Sequence, residues 1–170
     1  MAKRVVFLDR ATLADTVRLP HLPFEHDLIC YDATHEDQIA ERIANADIVI
    51  TNKARLSDAA IARAPHLALI AVAATGYDCV DVAAAHKRGI SVTNIRDYAG
   101  ATVPEHVFAL LLSLRRSLFS YRRSVSEGAW QRAGQFCYFD HPVRDLNGST
   151  LGIFGGGAIG MAVARLGVAF

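Results

Sequence analysis

The stretch Thr150-Leu151-Gly152-Ile153-Phe154-Gly155-Gly156-Gly157-Ala158-Ile159-Gly160, with an apolar run from there to Phe170, decides how the chain is read. It predicts a strand over residues 151–154, a tight turn and then a helix. Gly155, Gly157 and Gly160 have the spacing G-x-G-x-x-G. The first glycine permits the turn, the second lets backbone approach a pyrophosphate, and the third lets the helix pack on the strand. Amides at the helix start would then face an anion. Alone, this pattern is equally well a glycine-rich helix entry; its place between strand and helix favours a dinucleotide loop. The acidic residue expected on the ribose lies about 20 residues further on, and the sequence ends ten residues after Gly160. The motif is therefore expected to open a domain that this chain does not contain.

Working outward, the sequence upstream repeats apolar run, polar turn and amphipathic segment. Residues 4–8, 28–31, 48–51, 67–72 and 90–93 are short runs, apolar on both faces as buried parallel strands are. Helices are expected between them: 36–46 with Thr34 as cap, 58–64 after Ser57 and stopping at Pro65, and 80–88 ending at Gly89. The connection 11–27 carries Pro20 and Pro23 and is the weakest helix candidate. Strands alternating with helices require right-handed crossovers, hence a doubly wound α/β fold with a parallel sheet and helices on both faces. Ligands of such sheets collect beyond the carboxyl ends of the strands. The residues expected there are Asp9-Arg10, Asp32, Asn52-Lys53, Ala74-Thr75-Gly76 and Asn94 to Tyr98. Singly each is an ordinary solvated loop; their convergence on one edge makes a site.

After this array, Thr102-Val103-Pro104-Glu105 has the S/T-x-x-E spacing of a capping box, with Pro104 in the first turn. The helix it starts carries Val107, Phe108, Leu110, Leu111, Leu112, Leu114, Leu118 and Phe119 around most of its circumference, so burial nearly all round is expected. Residues 120–147 show neither helical nor strand period and are expected to form a connecting arm with an aromatic cluster, Trp130 and Phe136-Cys137-Tyr138-Phe139.

Composition narrows the function class. The 170 residues are 52% hydrophobic and 21% charged with formal net charge +1, enough for one sizeable core and without a basic face for nucleic acid. Cys30, Cys79 and Cys137 are widely spaced and form no C-x-x-C or His/Cys cluster, which points to reduced thiols, a cytoplasmic setting and no metal site. No apolar run approaches the 18 or so residues that a membrane span needs, and none of the N-terminal residues has a signal-peptide core.

In this order the chain resembles the NAD-dependent D-isomer-specific 2-hydroxyacid dehydrogenases, corresponding to their N-terminal half. Four stretches carry the resemblance. Ala73-Ala74-Thr75-Gly76-Tyr77-Asp78-Cys79-Val80-Asp81 is similar to the family's G-x-G-x-D-x-I-D turn, with Ala74 for the first glycine. Tyr98-Ala99-Gly100-Ala101-Thr102-Val103-Pro104-Glu105-His106 resembles the hinge into its interdomain helix. Phe136-Cys137-Tyr138-Phe139, with Pro142 and Arg144-Asp145-Leu146, resembles the glycerate dehydrogenase (hydroxypyruvate reductase) branch, and the glycine loop is the fourth. The resemblance implies a flavodoxin-like substrate domain over residues 1–100, an interdomain helix and arm over 101–147, and the first strand, loop and helix of a Rossmann NAD-binding domain over 148–170. It implies hydride transfer between NAD(H) and a small 2-oxo or 2-hydroxy acid, with a carboxylate-paired histidine as acid and an arginine orienting substrate. Those catalytic residues lie downstream in the family, so none is assigned here. Ala74, Thr75 and Gly76 would hold the substrate carboxylate by backbone amides, with Lys53 as a cationic contact. Thr102, Val103, Gly155, Gly157, Ala158, Ile159 and Gly160 would bind the cofactor. Glu105 and His106 are read as a capping residue and a helix-face residue.

Two other classes compete. A receiver domain needs an aspartate at the end of strand three, where Asn52 stands, and a flavin domain needs a hydroxyl- and glycine-rich loop where Asp9-Arg10-Ala11-Thr12-Leu13 stands. A non-catalytic homologue that senses NAD(H) or binds partners is the remaining alternative. The apolar helix and aromatic arm are more than one chain can bury, so a homodimer is expected.

Overall fold

The structure is a computed structural model that describes residues 2–170. It divides into two compact units, one ending at Arg96 and one running from Asp97 to Phe170.

The first unit is a five-stranded parallel sheet: β1 (Lys3–Phe7), β2 (His26–Cys30), β3 (Ile48–Thr51), β4 (Leu69–Val72) and β5 (Ser91–Asn94), in the order β2-β1-β3-β4-β5. That is the flavodoxin-like strand order, with its switch point between β1 and β3. The register aligns Val6 with Val49, Val49 with Ile70 and Ile70 with Val92, so these side chains share one face. Helices α1 (Glu36–Ile43), α2 (Asp58–Ile61) and α3 (Val82–Lys87) contact one another in sequence. Their crossovers all step the same way along the sheet, and right-handed connections then place all three helices on the same face. Val6, Val49 and Ile70 are buried there with Ile39, Ile43 and Ile61.

One connection of this unit carries no α-helix, the one already weakest in the sequence. The connection from β1 to β2 holds only a 3-10 turn, Arg10–Thr12, because Pro20 and Pro23 deny it a helix. The Arg10 guanidinium braces it, donating to the carbonyls of Leu13 (3.0 Å) and Val17 (2.7 Å). The second face grades from the buried Val5 and Phe7 to the exposed Ser91 and Thr93.

Helix ends follow local chemistry. Ser57 caps α2 by accepting from the Ala60 amide, and Asp81 caps α3 by accepting from the Ala84 amide at 2.9 Å. Gly89 ends α3 with φ +71°. Thr34 does not cap α1. The cap is His35, whose amide donates to the Gln38 side chain, while the Thr34 hydroxyl donates to the Leu8 carbonyl and accepts from Arg42.

The second unit contains α4 (Ala99–Arg115), α5 (Leu118–Ser126), α6 (Ala129–Ala133) and α7 (Ala158–Val168). Four expectations change here. α4 starts at Ala99, behind Asp97 at φ 61°, so Thr102 and Glu105 form no capping box and Pro104 lies in the helix interior. A proline there has no N–H for the carbonyl four residues back, that of Gly100. Second, α4 is buried only at Pro104 and Phe108, and Leu110 and Leu114 are exposed. Third, residues 118–133 are helical, although Arg122, Arg123 and Glu127 blur the apolar period; α5 and α6 are short and bury no residue. Fourth, residues 151–154 form no strand, because a strand needs a neighbour to satisfy its amides and carbonyls and none is present among the described residues.

α7 forms nonetheless and packs on α4. Ala162 and Val163 are buried and Phe170 stacks on Phe108, centroids 5.2 Å apart, whereas Ile159 and Leu166 stay exposed. Packing beside Phe108, Leu111, Leu151 and Phe170 is loose, leaving a cavity of about 190 Å³. The arm is tied by the Tyr121 hydroxyl, which donates to the His141 carbonyl at 2.8 Å, and by Arg116 paired with Asp145.

Candidate functional site

The parallel sheet brings the carboxyl ends of β1, β3, β4 and β5 to one edge, so Asp9, Asn52-Lys53, Ala74-Thr75-Gly76 and Asn94 lie along it, as expected. Two turns on that edge present consecutive amides, and they differ in what those amides meet.

The turn after β3 is filled by the protein itself. The Asp9 carboxylate, 5% exposed, accepts from the amides of Asn52 (2.9 Å), Lys53 (2.6 Å) and Ala54 (2.8 Å). The buried Thr51 hydroxyl closes the same turn by donating to the Ala54 carbonyl at 2.9 Å. Successive amides converging on an oxygen anion form a nest, here occupied by an internal carboxylate. Asp9 stands where β1 is shared between two neighbours: the Leu8 amide bonds to the Ile50 carbonyl of β3, and the Arg10 amide to the Tyr31 carbonyl beyond β2. This anchoring role is not evident in the sequence, where Asp9 is one more polar residue after a strand.

The turn after β4 is open. The Asn94 side chain donates to the Thr75 carbonyl at 2.8 Å, and the Ile95 amide to the Ala74 carbonyl at 3.1 Å. Both carbonyls are thereby held from the β5 side. Among the described residues, the amides of Thr75 and Gly76 meet no protein acceptor, and both residues are exposed. Gly76 does not need positive φ; a Cβ there would stand 3.3 Å from an Asp78 carboxylate oxygen, so its lack of side chain keeps the turn accessible. The two turns are joined: the Leu56 amide donates to the Cys79 carbonyl at 2.8 Å, and the Cys79 thiol lies 3.8 Å from the Asn52 carbonyl. Burial pushes the Cys79 thiol above its usual range, keeping it a proton donor at neutral pH. Lys53 is exposed, with its ammonium free to reach a ligand.

In the second unit the glycine loop opens α7 without the strand expected before it. Gly155 adopts φ +105°, and a Cβ on Gly160 would fall 2.1 Å from the Gly155 carbonyl oxygen, so both positions require glycine. Gly157 caps α7, and Ala158 and Ile159 form its first turn. Gly156 and Gly157 have open space where a Cβ would be. Thr102 and Val103 lie on exposed positions of α4, as do Glu105 and His106.

The family model for the D-isomer specific 2-hydroxyacid dehydrogenase, catalytic domain, matches residues 5–153. The chain belongs to this family. Among its dehydrogenase relatives, the glycerate dehydrogenase of Methylorubrum extorquens is 49% identical over 166 residues, covering 97% of this chain and 52% of its own length. The hydroxypyruvate reductase of Blautia hydrogenotrophica is 36% identical over 143 residues, covering 82% of this chain and 44% of its own length. The 2-hydroxyacid dehydrogenase of Ketogulonicigenium vulgare superposes with a TM-score of 0.76 at 27% identity, over 99% of this chain and 52% of that one. The NADPH-dependent glyoxylate/hydroxypyruvate reductase of Sinorhizobium meliloti, in complex with NADP and malonate, does so with a TM-score of 0.72 at 26% identity, over 99% and 51%. The chain thus spans about half the length of the relatives it matches.

Proposed function

We propose that this chain is the substrate-binding part, with the opening of the nucleotide-binding part, of an NAD-dependent oxidoreductase acting on a small 2-hydroxy or 2-oxo acid, with glycerate and hydroxypyruvate as the substrate pair. The observation that carries this is the open amide turn after β4. It lies beside a filled nest, on the sheet edge where ligands of such folds collect. Ala74, Thr75 and Gly76 take the substrate carboxylate, and Lys53 adds a positive charge. Gly155, Gly157, Ala158, Ile159 and Gly160 hold the pyrophosphate, with Thr102 and Val103 as further cofactor contacts. NAD, when bound, supplies the hydride acceptor or donor. The substrate choice is supported by the names of the two relatives above. Domains divide as residues 1–100, 101–147 and 148–170. The enzyme is a cytoplasmic homodimer, which the three free cysteines and the exposed Leu114, Phe119, Phe136 and Phe139 support.

In the intact enzyme, Gly76→Val raises the KM for hydroxypyruvate about ten-fold, roughly 1.4 kcal/mol. An unchanged KM in a folded variant refutes the assignment. The 170 residues alone are expected to show no hydroxypyruvate-dependent oxidation of NADH and no tight NADH binding by calorimetry, since none of them is assigned as general acid or ribose carboxylate. A non-catalytic NAD(H)-sensing homologue is excluded if the intact protein turns over.

A further inference from the structure

We propose that Asp9 is a positioning residue for the substrate edge: its buried carboxylate fills the nest of the β3 turn, shapes that turn, presents Lys53, and leaves the neighbouring β4 turn as the seat for an external carboxylate. The proposal rests on the reading of Ala74-Thr75-Gly76 and Lys53 as that seat.

The geometry carries it. One Asp9 oxygen accepts from the amides of Asn52, Lys53 and Ala54 at 3.0, 2.6 and 2.8 Å, and the other accepts from the Asn52 amide at 2.9 Å. The donors are consecutive and lie 43–45 positions away in sequence, so the bonds fix the β3 turn against β1 rather than within itself. Lys53 bonds through its amide, which sets the direction of a side chain that otherwise has four free torsions. The same turn reaches the β4 turn through the Leu56 amide and the Cys79 carbonyl. Displacement of residues 52–54 therefore moves both the cation and the wall of the amide seat. Without Asp9, three unpaired amides would face the switch-point crevice and compete for a carboxylate ligand.

Asp9 is also unsuited to accepting a phosphoryl group, being buried and committed to amides. Its charge serves the architecture of the edge.

The test is steady-state kinetics on the intact enzyme with Asp9→Asn, Lys53→Met, the double variant and Gly76→Val, with folding monitored by circular dichroism. Asn keeps one acceptor but turns an N–H₂ toward amide donors. Asp9→Asn is expected to raise KM for the 2-oxo acid about ten-fold with kcat changed less than about three-fold. In the Lys53→Met background it adds less than about two-fold, since residues acting through one another are not additive. A second measurement uses Asp9→Ala, which removes both acceptor oxygens and should raise KM at least as far as Asp9→Asn. If Asp9→Asn and Asp9→Ala fail to fold, Thr51→Val loosens the same turn with the charge in place and should raise KM about three-fold. The proposal is overturned if folded Asp9→Asn leaves KM unchanged, lowers kcat alone, or multiplies fully with Lys53→Met, or if Thr51→Val leaves KM unchanged. If Gly76→Val and Lys53→Met also leave KM unchanged, the seat itself is misassigned; if they raise it while Asp9→Asn does not, only the role of Asp9 fails.

Discussion

The two units solve the same problem, hiding apolar surface, to very different degrees. In the unit ending at Arg96, every strand except the edge strands β2 and β5 contributes fully buried side chains, and one continuous cluster joins Val6, Val49 and Ile70 to the three helices. From Asp97 onward, the buried positions are Pro104, Phe108, Ala162 and Val163, of which only Pro104 is fully buried, while Leu114 is 72% and Phe136 89% exposed. Helices form in both. The difference teaches that α4 to α7 are specified locally, by propensity and glycine stops, whereas their tertiary stability is specified by surface that these residues do not themselves cover.

The sharpest way to break that comparison is a pair of truncations. Ile70→Ala should cost about 2–5 kcal/mol by opening a cavity at the centre of the sheet, and Leu114→Ala should change stability by less than about 0.5 kcal/mol, as exposed substitutions do. Urea unfolding followed by circular dichroism checks both, and equal losses would show that the units share one core. A second pair probes the glycine loop. Gly160→Ala forces a Cβ to 2.1 Å from the Gly155 oxygen and should weaken the α7 start by about 1–3 kcal/mol. Gly156→Ala, with open space around it, should leave hydrogen exchange in α7 unchanged.

Smaller effects test whether the first unit is as locally consistent as it is well packed. Ser57→Ala removes the α2 cap and should lower stability by about 1 kcal/mol in thermal unfolding. The smallest effect is a pH dependence. The Lys3 side chain, and then the Arg4 amide, hold the Asp47 carboxyl below its ordinary value of 3.8. Its stabilising contribution is complete above that value and is lost as pH falls through the lower folded value. Asp47→Asn should therefore flatten acid destabilisation below about pH 4 by less than about 1 kcal/mol, the scale of an exposed pair. An unchanged acid limb would remove the pair from the account.

What could be read from the sequence follows the same divide. β1, β3, β4 and α1 to α3 were legible because their apolar periods coincide with their burial, whereas β2 and β5, read as buried on both faces, are edge strands with no buried residue. In the second unit period and burial part company: α4 is apolar around most of its circumference yet mostly exposed, and α5 is helical with charged residues breaking its stripe. The strand at 151–154 has the composition of one but lacks the neighbour that would make it one. At the site, the glycine demands at Gly155 and Gly160 were visible as spacing, and the turn at Thr75-Gly76 through the resemblance to the family's turn. The Asp9 nest was not, because its partners are remote in the chain and are backbone groups, which no residue type reveals.

The order β2-β1-β3 has a kinetic corollary. β1 lies beside β2 and β3, yet the bonds from Asp9 reach only the turn after β3, on the far side of a 43-residue loop. Closing such a loop carries an entropy cost that local contacts do not. The Asp9 bonds should therefore form after the barrier crossing, once Val5, Val6 and Phe7 have aligned with Ile48, Val49 and Ile50. Loosening them should accelerate unfolding and leave the refolding rate nearly untouched, which makes Asp9 a latch that sets the lifetime of the native edge and leaves the speed of reaching it to the strands.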